Sequence, residues 1–230
     1  VILFLKSSIG RKWVVALTGL VLIAYVLGHL IGNLQIFLDP SRINRYAKFL
    51  HSLGPALWAI RAFLLACFVA HIATTITLAV ENRAARPEKY ATAVRVQATA
   101  ASRTMVLSGL IVLSFVIYHL LHFTARKTDA RFKPVAEGGL LRGEYDVHTM
   151  VILAFQHPLV AGFYLLGVFL LCLHLSHGFS SVLQTLGLNS SKTSALIETG
   201  GRCLAWAIFA GYASIPAAVW LGFLKIHTGL

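Results

Sequence analysis

Long apolar runs broken by short polar connections dominate the chain. Five of them reach or exceed the roughly 20 residues that carry a helix across a bilayer, at about 13–37, 56–80, 104–124, 151–183 and 203–224. Trp13 stands at the start of the first run as an interfacial anchor, and residues 1–12 form an amphipathic lead-in. That run is longer than a signal-peptide core and has no small-residue cleavage pattern behind it, so it is expected to be retained. Between the first two runs, Asp39 followed by Pro40 is a helix-start pair, and SRINRYAKFLHSLG predicts a short helix along the membrane surface. The fold class expected is all-α: a polytopic membrane protein, one five-helix bundle in a single domain spanning residues 1–230.

The pattern repeats itself. Leu17–Leu30 reads LTGLVLIAYVLGHL and Leu107–Leu120 reads LSGLIVLSFVIYHL. Aligned without a gap, a small hydroxyl (Thr18, Ser108), a glycine (Gly19, Gly109) and a histidine (His29, His119) recur in register. Runs two and four echo each other more faintly, with His71 sixteen residues after Pro55 and His174 sixteen after Pro158. A histidine deep in an apolar span is costly without a partner. Four spans that each deliver one call for a shared explanation.

Depth pairs them. At 1.5 Å per residue, His29 and His119 lie ~24 Å into a core ~30 Å thick, in spans that run the same way. His71 and His174 lie as far into spans that run back, which makes two layers ~18 Å apart. Two facing imidazoles without a carboxylate or thiolate suit a six-coordinate haem iron. They suit zinc poorly, since a structural zinc takes four protein ligands. Copper would recruit sulfur, and Met105 and Met150 are at other depths. Thr18 and Ser108 precede their histidines by eleven residues, on the same face and ~16 Å away, near the depth of the other layer. Gly19 and Gly109 are expected either to make room there for the flat face of the second haem, with the hydroxyls at its edge, or to serve a close helix crossing. His122 and His177 follow proposed ligands by three residues. Either could be the ligand instead, or a donor to a haem propionate or a quinone oxygen. Arg61, Arg126 and Lys127 are further candidates for propionate pairing.

Composition narrows the function. The 230 residues are 57% hydrophobic and 12% charged, with a net charge of +12. The basic residues fall in connections and span ends, where they suit lipid headgroups or an acidic partner better than nucleic acid. Lys6, Arg11 and Lys12 with the basic second loop (Arg83, Arg86, Lys89, Arg95, Arg103) favour an N-terminus on the inner side. No Asp or Glu lies well inside a run, which argues against an acid-lined transporter. Cys67, Cys172 and Cys203 show no metal or redox spacing. His51, His148, His157 and His227 fall at loops or span ends, where surface or capping roles are the default.

GHLIGN around His29, FVAH ending at His71, FVIYHL around His119 and PLVAGFYLLGVFLLCLHLSHG around His174 together resemble the cytochrome b558 membrane anchor of succinate:quinone oxidoreductases, of the single-chain, five-helix, two-haem type. The resemblance runs over essentially the whole chain. It implies two haems b, with His29 and His119 on the distal one and His71 and His174 on the proximal one, in agreement with the depth pairing. It also implies a flavoprotein subunit and an iron–sulfur subunit docked on the cytoplasmic face of a bacterial plasma membrane, electrons passing from succinate to a quinone, usually menaquinone. Some relatives carry a glutamate two residues before the fourth-span ligand, linked to proton transfer. Here that residue is Cys172, and no such path is carried over. A di-haem subunit of another dehydrogenase, a stand-alone ferric reductase and a haem-free transporter are the rival expectations.

Overall fold

The computed structural model describes residues 7–85, 100–134 and 145–226, with the side chains of 100–104 left aside. Among them the chain is helical, apart from connections and an isolated bridge between Pro134 and Tyr145. The helices are α1 Ser8–Leu34, α2 Pro40–Ser52, α3 Pro55–Ala84, α4 Ala100–His119, α5 Val147–Gln156, α6 Pro158–Thr185 and α7 Ser194–Trp220. Five helical segments are long and apolar enough to cross a membrane: Ser8–Phe37, Pro55–Ala84, Met105–Thr124, Pro158–Thr185 and Ser194–Trp220. The chain is therefore a multi-pass membrane protein of the all-α class. His227, Pro87 and the Gly138-Gly139 pair lie outside the described residues.

Local chemistry sets the ends. Asp39 caps α2, its carboxylate accepting from the Ser41 amide at 2.7 Å with Pro40 in the first helical position. The fourth run does not form one helix over 151–183. It divides into α5 and α6 at His157, whose backbone is extended (φ −86°, ψ 115°). The proline ring of Pro158 disfavours helical geometry in the residue before it. The fifth span starts at Ser194, earlier than the hydropathy run, and stays helical through Gly200 and Gly201. α6 closes on Gly187 (φ +76°), and the Leu188 amide reaches back to the Leu183 carbonyl at 2.9 Å.

The chain divides into two compact units. One comprises Val1–Tyr25, Ile60–Leu110 and Leu171–Trp206, and the other Val26–Ala59, Ile111–Leu170 and Ala207–Leu230. The second has a continuous apolar core that includes Ile36, Phe115, Ile152, Phe155, Tyr164 and Ile215. Within it Asn44 and Asp146 tie α2 to the start of α5: Asn44 Nδ2 donates to Asp146 Oδ1 at 2.8 Å, and Asn44 Oδ1 accepts from the His148 amide at 3.2 Å. In the first unit, Ala16, Ile23, Cys172, Val182 and Ala205 are buried, and Arg11 pairs with Glu81. Large apolar side chains such as Trp58, Leu159 and Leu196 point outward, as a lipid-facing surface requires.

Candidate functional site: two histidine pairs

The first unit holds His71 on α3 and His174 on α6, each beside a hydroxyl–glycine pair. Thr18 Oγ1 lies 3.1 Å from His71 Nδ1, and Ser108 Oγ lies 3.2 Å from His174 Nδ1. The repeated hydroxyls thus stand on the imidazoles themselves. A hydroxyl has one hydrogen to give. Thr18 spends its hydrogen on backbone, donating to the Val14 carbonyl at 2.6 Å, with the Val15 carbonyl 3.2 Å away. Ser108 spends its own on the Met105 carbonyl at 3.0 Å. A hydroxyl so engaged can accept from the imidazole, an arrangement with the ring proton on Nδ1. The Val15 carbonyl 3.2 Å from His71 Nδ1 can only accept, and favours that tautomer for His71. In that tautomer the ring's lone pair is on Nε2.

The glycines allow this approach. A Cβ on Gly19 would stand 3.2 Å from His71 Cε1, and one on Gly109 would stand 3.4 Å from His174 Cε1. At Gly19 the glycine eases the approach of the helix backbone to the ring, whereas at Gly109 a Cβ would make only ordinary van der Waals contact. His71 and His174 are near enough to influence each other electrostatically. His177, one turn beyond His174, is half-buried and within electrostatic reach of Glu198.

The second unit holds the other pair. His29 on α1 and His119 at the end of α4 have ring centroids 5.8 Å apart with planes at 83°. The two rings thus meet edge to face, one from each of two membrane-spanning segments. Tyr212 is 6.3 Å from the His29 ring, and its hydroxyl donates to the Val26 carbonyl at 3.0 Å. Tyr164 is 5.9 Å from the His119 ring. Neither tyrosine stands out among the apolar residues of its span; the signal available was a phenol hydroxyl inside a membrane helix, which needs a partner there.

His122 is differently placed. Beyond His119 the helix widens into a π turn over Leu120–Thr124, with the Ala125 amide bonded to the Leu120 carbonyl at 2.7 Å. The turn buries His122 against Phe132, the rings stacked at 5.1 Å and 17°. Its Nδ1 meets the Tyr164 hydroxyl at 3.0 Å, and its Nε2 faces Asp129 Oδ2 at 3.9 Å. Both nitrogens face protein groups. Asp129 is in turn gripped by Arg131, with Nε–Oδ1 at 2.9 Å; that hydrogen bond holds its carboxyl below the usual range. Arg126 adopts the left-handed region (φ 54°), lays its guanidinium 3.8 Å over the Tyr145 ring, and has a buried Nε without a hydrogen-bond partner among the described residues. Arg61 and Lys127 are exposed.

Among the described residues, no three His, Cys, Asp or Glu gather as a metal site of protein ligands alone. A haem brings its four equatorial nitrogens with it and asks the protein for two axial donors. Paired imidazoles, two of them engaged by hydroxyls at Nδ1, fit that demand. Comparison with protein-family models, curated proteins and solved structures gave no match.

Proposed function

We propose that this chain is the membrane-anchor cytochrome b subunit of a succinate:quinone oxidoreductase, with two haems b held by His29 with His119 and by His71 with His174. The observation that carries the reading is the duplicated hydroxyl–imidazole bond, which leaves His71 and His174 with Nε2 free for a metal. The proximity of His29 and His119 and the resemblance of the four histidine motifs to the cytochrome b558 anchors support it further. Bound haem b supplies one-electron transfer at its iron.

The chain's own residues would do the rest. His29, His71, His119 and His174 would hold the haems through their ring nitrogens; Thr18, Val15 and Ser108 would orient the His71 and His174 rings. Within a membrane, the apolar helices that carry the pairs would keep bulk water away from them. A flavoprotein and an iron–sulfur subunit on the cytoplasmic face would deliver electrons from succinate, and a quinone such as menaquinone would accept them. In this reading the protein sits in the bacterial plasma membrane with its N-terminus inside.

A reduced-minus-oxidised spectrum with a pyridine haemochrome assay on the purified protein tests it. Two b-type haems per chain are expected, together with co-purification of a flavin-containing partner. A colourless preparation overturns the reading. Two haems with a partner that lacks flavin and succinate activity would reassign the chain to another di-haem membrane protein.

A further inference from the structure

Thr18 and Ser108 do the same thing with unequal backing. Ser108 Oγ is the acceptor for His174 Nδ1 among the described residues, at 3.2 Å. His71 Nδ1 has two acceptors, Thr18 Oγ1 at 3.1 Å and the Val15 carbonyl at 3.2 Å. Each hydroxyl is itself fixed by a bond to a carbonyl one turn earlier on its own helix, Thr18 to Val14 and Ser108 to Met105. The rotor therefore points one way, with its lone pairs toward the imidazole. Gly19, after Thr18, keeps α1 close to His71, where a Cβ would stand 3.2 Å from Cε1.

We propose that Thr18 and Ser108 are positioning residues for the His71/His174 centre, and that they divide control of it unevenly. Ser108 sets the tautomer and donor strength of His174, whereas Thr18 shares His71 with the Val15 carbonyl. This rests on the haem reading above. An imidazole that donates from Nδ1 is held with Nε2 toward the metal and is a stronger base there. A stronger axial donor favours the oxidised metal, so loss of the Nδ1 acceptor raises the reduction potential of that centre. Ser108→Ala strips His174 of its hydroxyl partner. Thr18→Val keeps the shape of the side chain and leaves His71 its carbonyl.

The two copies supply their own controls, since one carries threonine where the other carries serine. Spectroelectrochemical titration and low-spin EPR of the purified full chain with its haems would resolve the two centres. Ser108→Ala is expected to raise one midpoint potential and shift one EPR signal, or to lose that haem alone, with the other centre unchanged. Thr18→Val shifts the same centre less and in the same direction, and Ser108→Thr restores wild-type behaviour. Should Ser108→Ala fail to assemble, Ser108→Thr and Ser108→Val carry the test, because they differ in the hydroxyl and match in shape. Equal potentials and EPR signals with and without the hydroxyl overturn the inference. A wild-type protein without haem overturns the haem reading instead, and 15N spectra of its histidines then decide separately whether Nδ1 of His174 carries the proton.

Discussion

The hydroxyl of Tyr164 lies 3.0 Å from Nδ1 of His122, inside a cluster where His122 is almost wholly buried. Tyr164→Phe removes that partner and keeps the ring. A buried polar atom left unsatisfied costs ~1–3 kcal/mol, so the variant is expected to lower the thermal midpoint in detergent or lipid nanodiscs. An unchanged midpoint would mean that the Tyr164 hydroxyl adds nothing to what Phe132 and Asp129 already give His122.

His119 and His122 are one turn apart and separate cleanly by role. On the proposed reading, His119→Ala loses one of two haems per chain. His122→Ala keeps both and loses stability, because both of its ring nitrogens face protein groups. Haem quantitation of the two purified variants checks this, and the reverse pattern would move the axial ligand to His122.

How much of this was legible in the sequence depends on what sets each feature. The spans were, because hydropathy over 20 residues answers to the bilayer and to little else. So was the start of α2, where Asp39 and Pro40 act within a single turn. The start of α6 was marked by Pro158, sixteen residues before His174, whereas hydropathy alone runs α5 and α6 together because the residues on both sides are apolar. The π turn at Leu120–Thr124 could not be read at all. It seats His122 between Tyr164 and Phe132, partners that lie in other parts of the chain. The Thr18/Ser108 repeat was visible in the sequence, while the atom each hydroxyl meets became visible only with His71 and His174 in place.

Gly167 and Gly162 lie near each other on α6 and face different surroundings. A Cβ on Gly167 would collide with the Phe115 ring, whereas one on Gly162 meets nothing within 4 Å. Gly167→Ala is expected to cost ~1–3 kcal/mol through overpacking. Gly162→Ala should be neutral or slightly stabilising, since alanine is the better helix former. Parallel melting curves of the two variants measure the difference.

Asp146 caps α5, accepting from the Thr149 amide at 3.0 Å and from Asn44. Burial alone would raise its carboxyl, but the bonds from Thr149 and Asn44 outweigh it and hold the folded value below the ordinary 3.8. A depressed carboxylate stabilises fully above its unfolded value and loses that contribution as pH falls through the folded one. Acid should therefore loosen the link between α2 and α5 below about pH 4. Asp146→Ala is expected to cost ~1 kcal/mol at neutral pH and to flatten the acid limb, as read by melting temperature against pH.

Thr18 and Ser108 bear finally on assembly. Thiolate ligands must shed a proton before a metal can bind, and that proton has to leave the site. With the proton on the nitrogen turned toward the hydroxyl, His71 and His174 keep the other nitrogen bare. A metal arriving at rings held in that tautomer would displace no proton and require no ring to turn over.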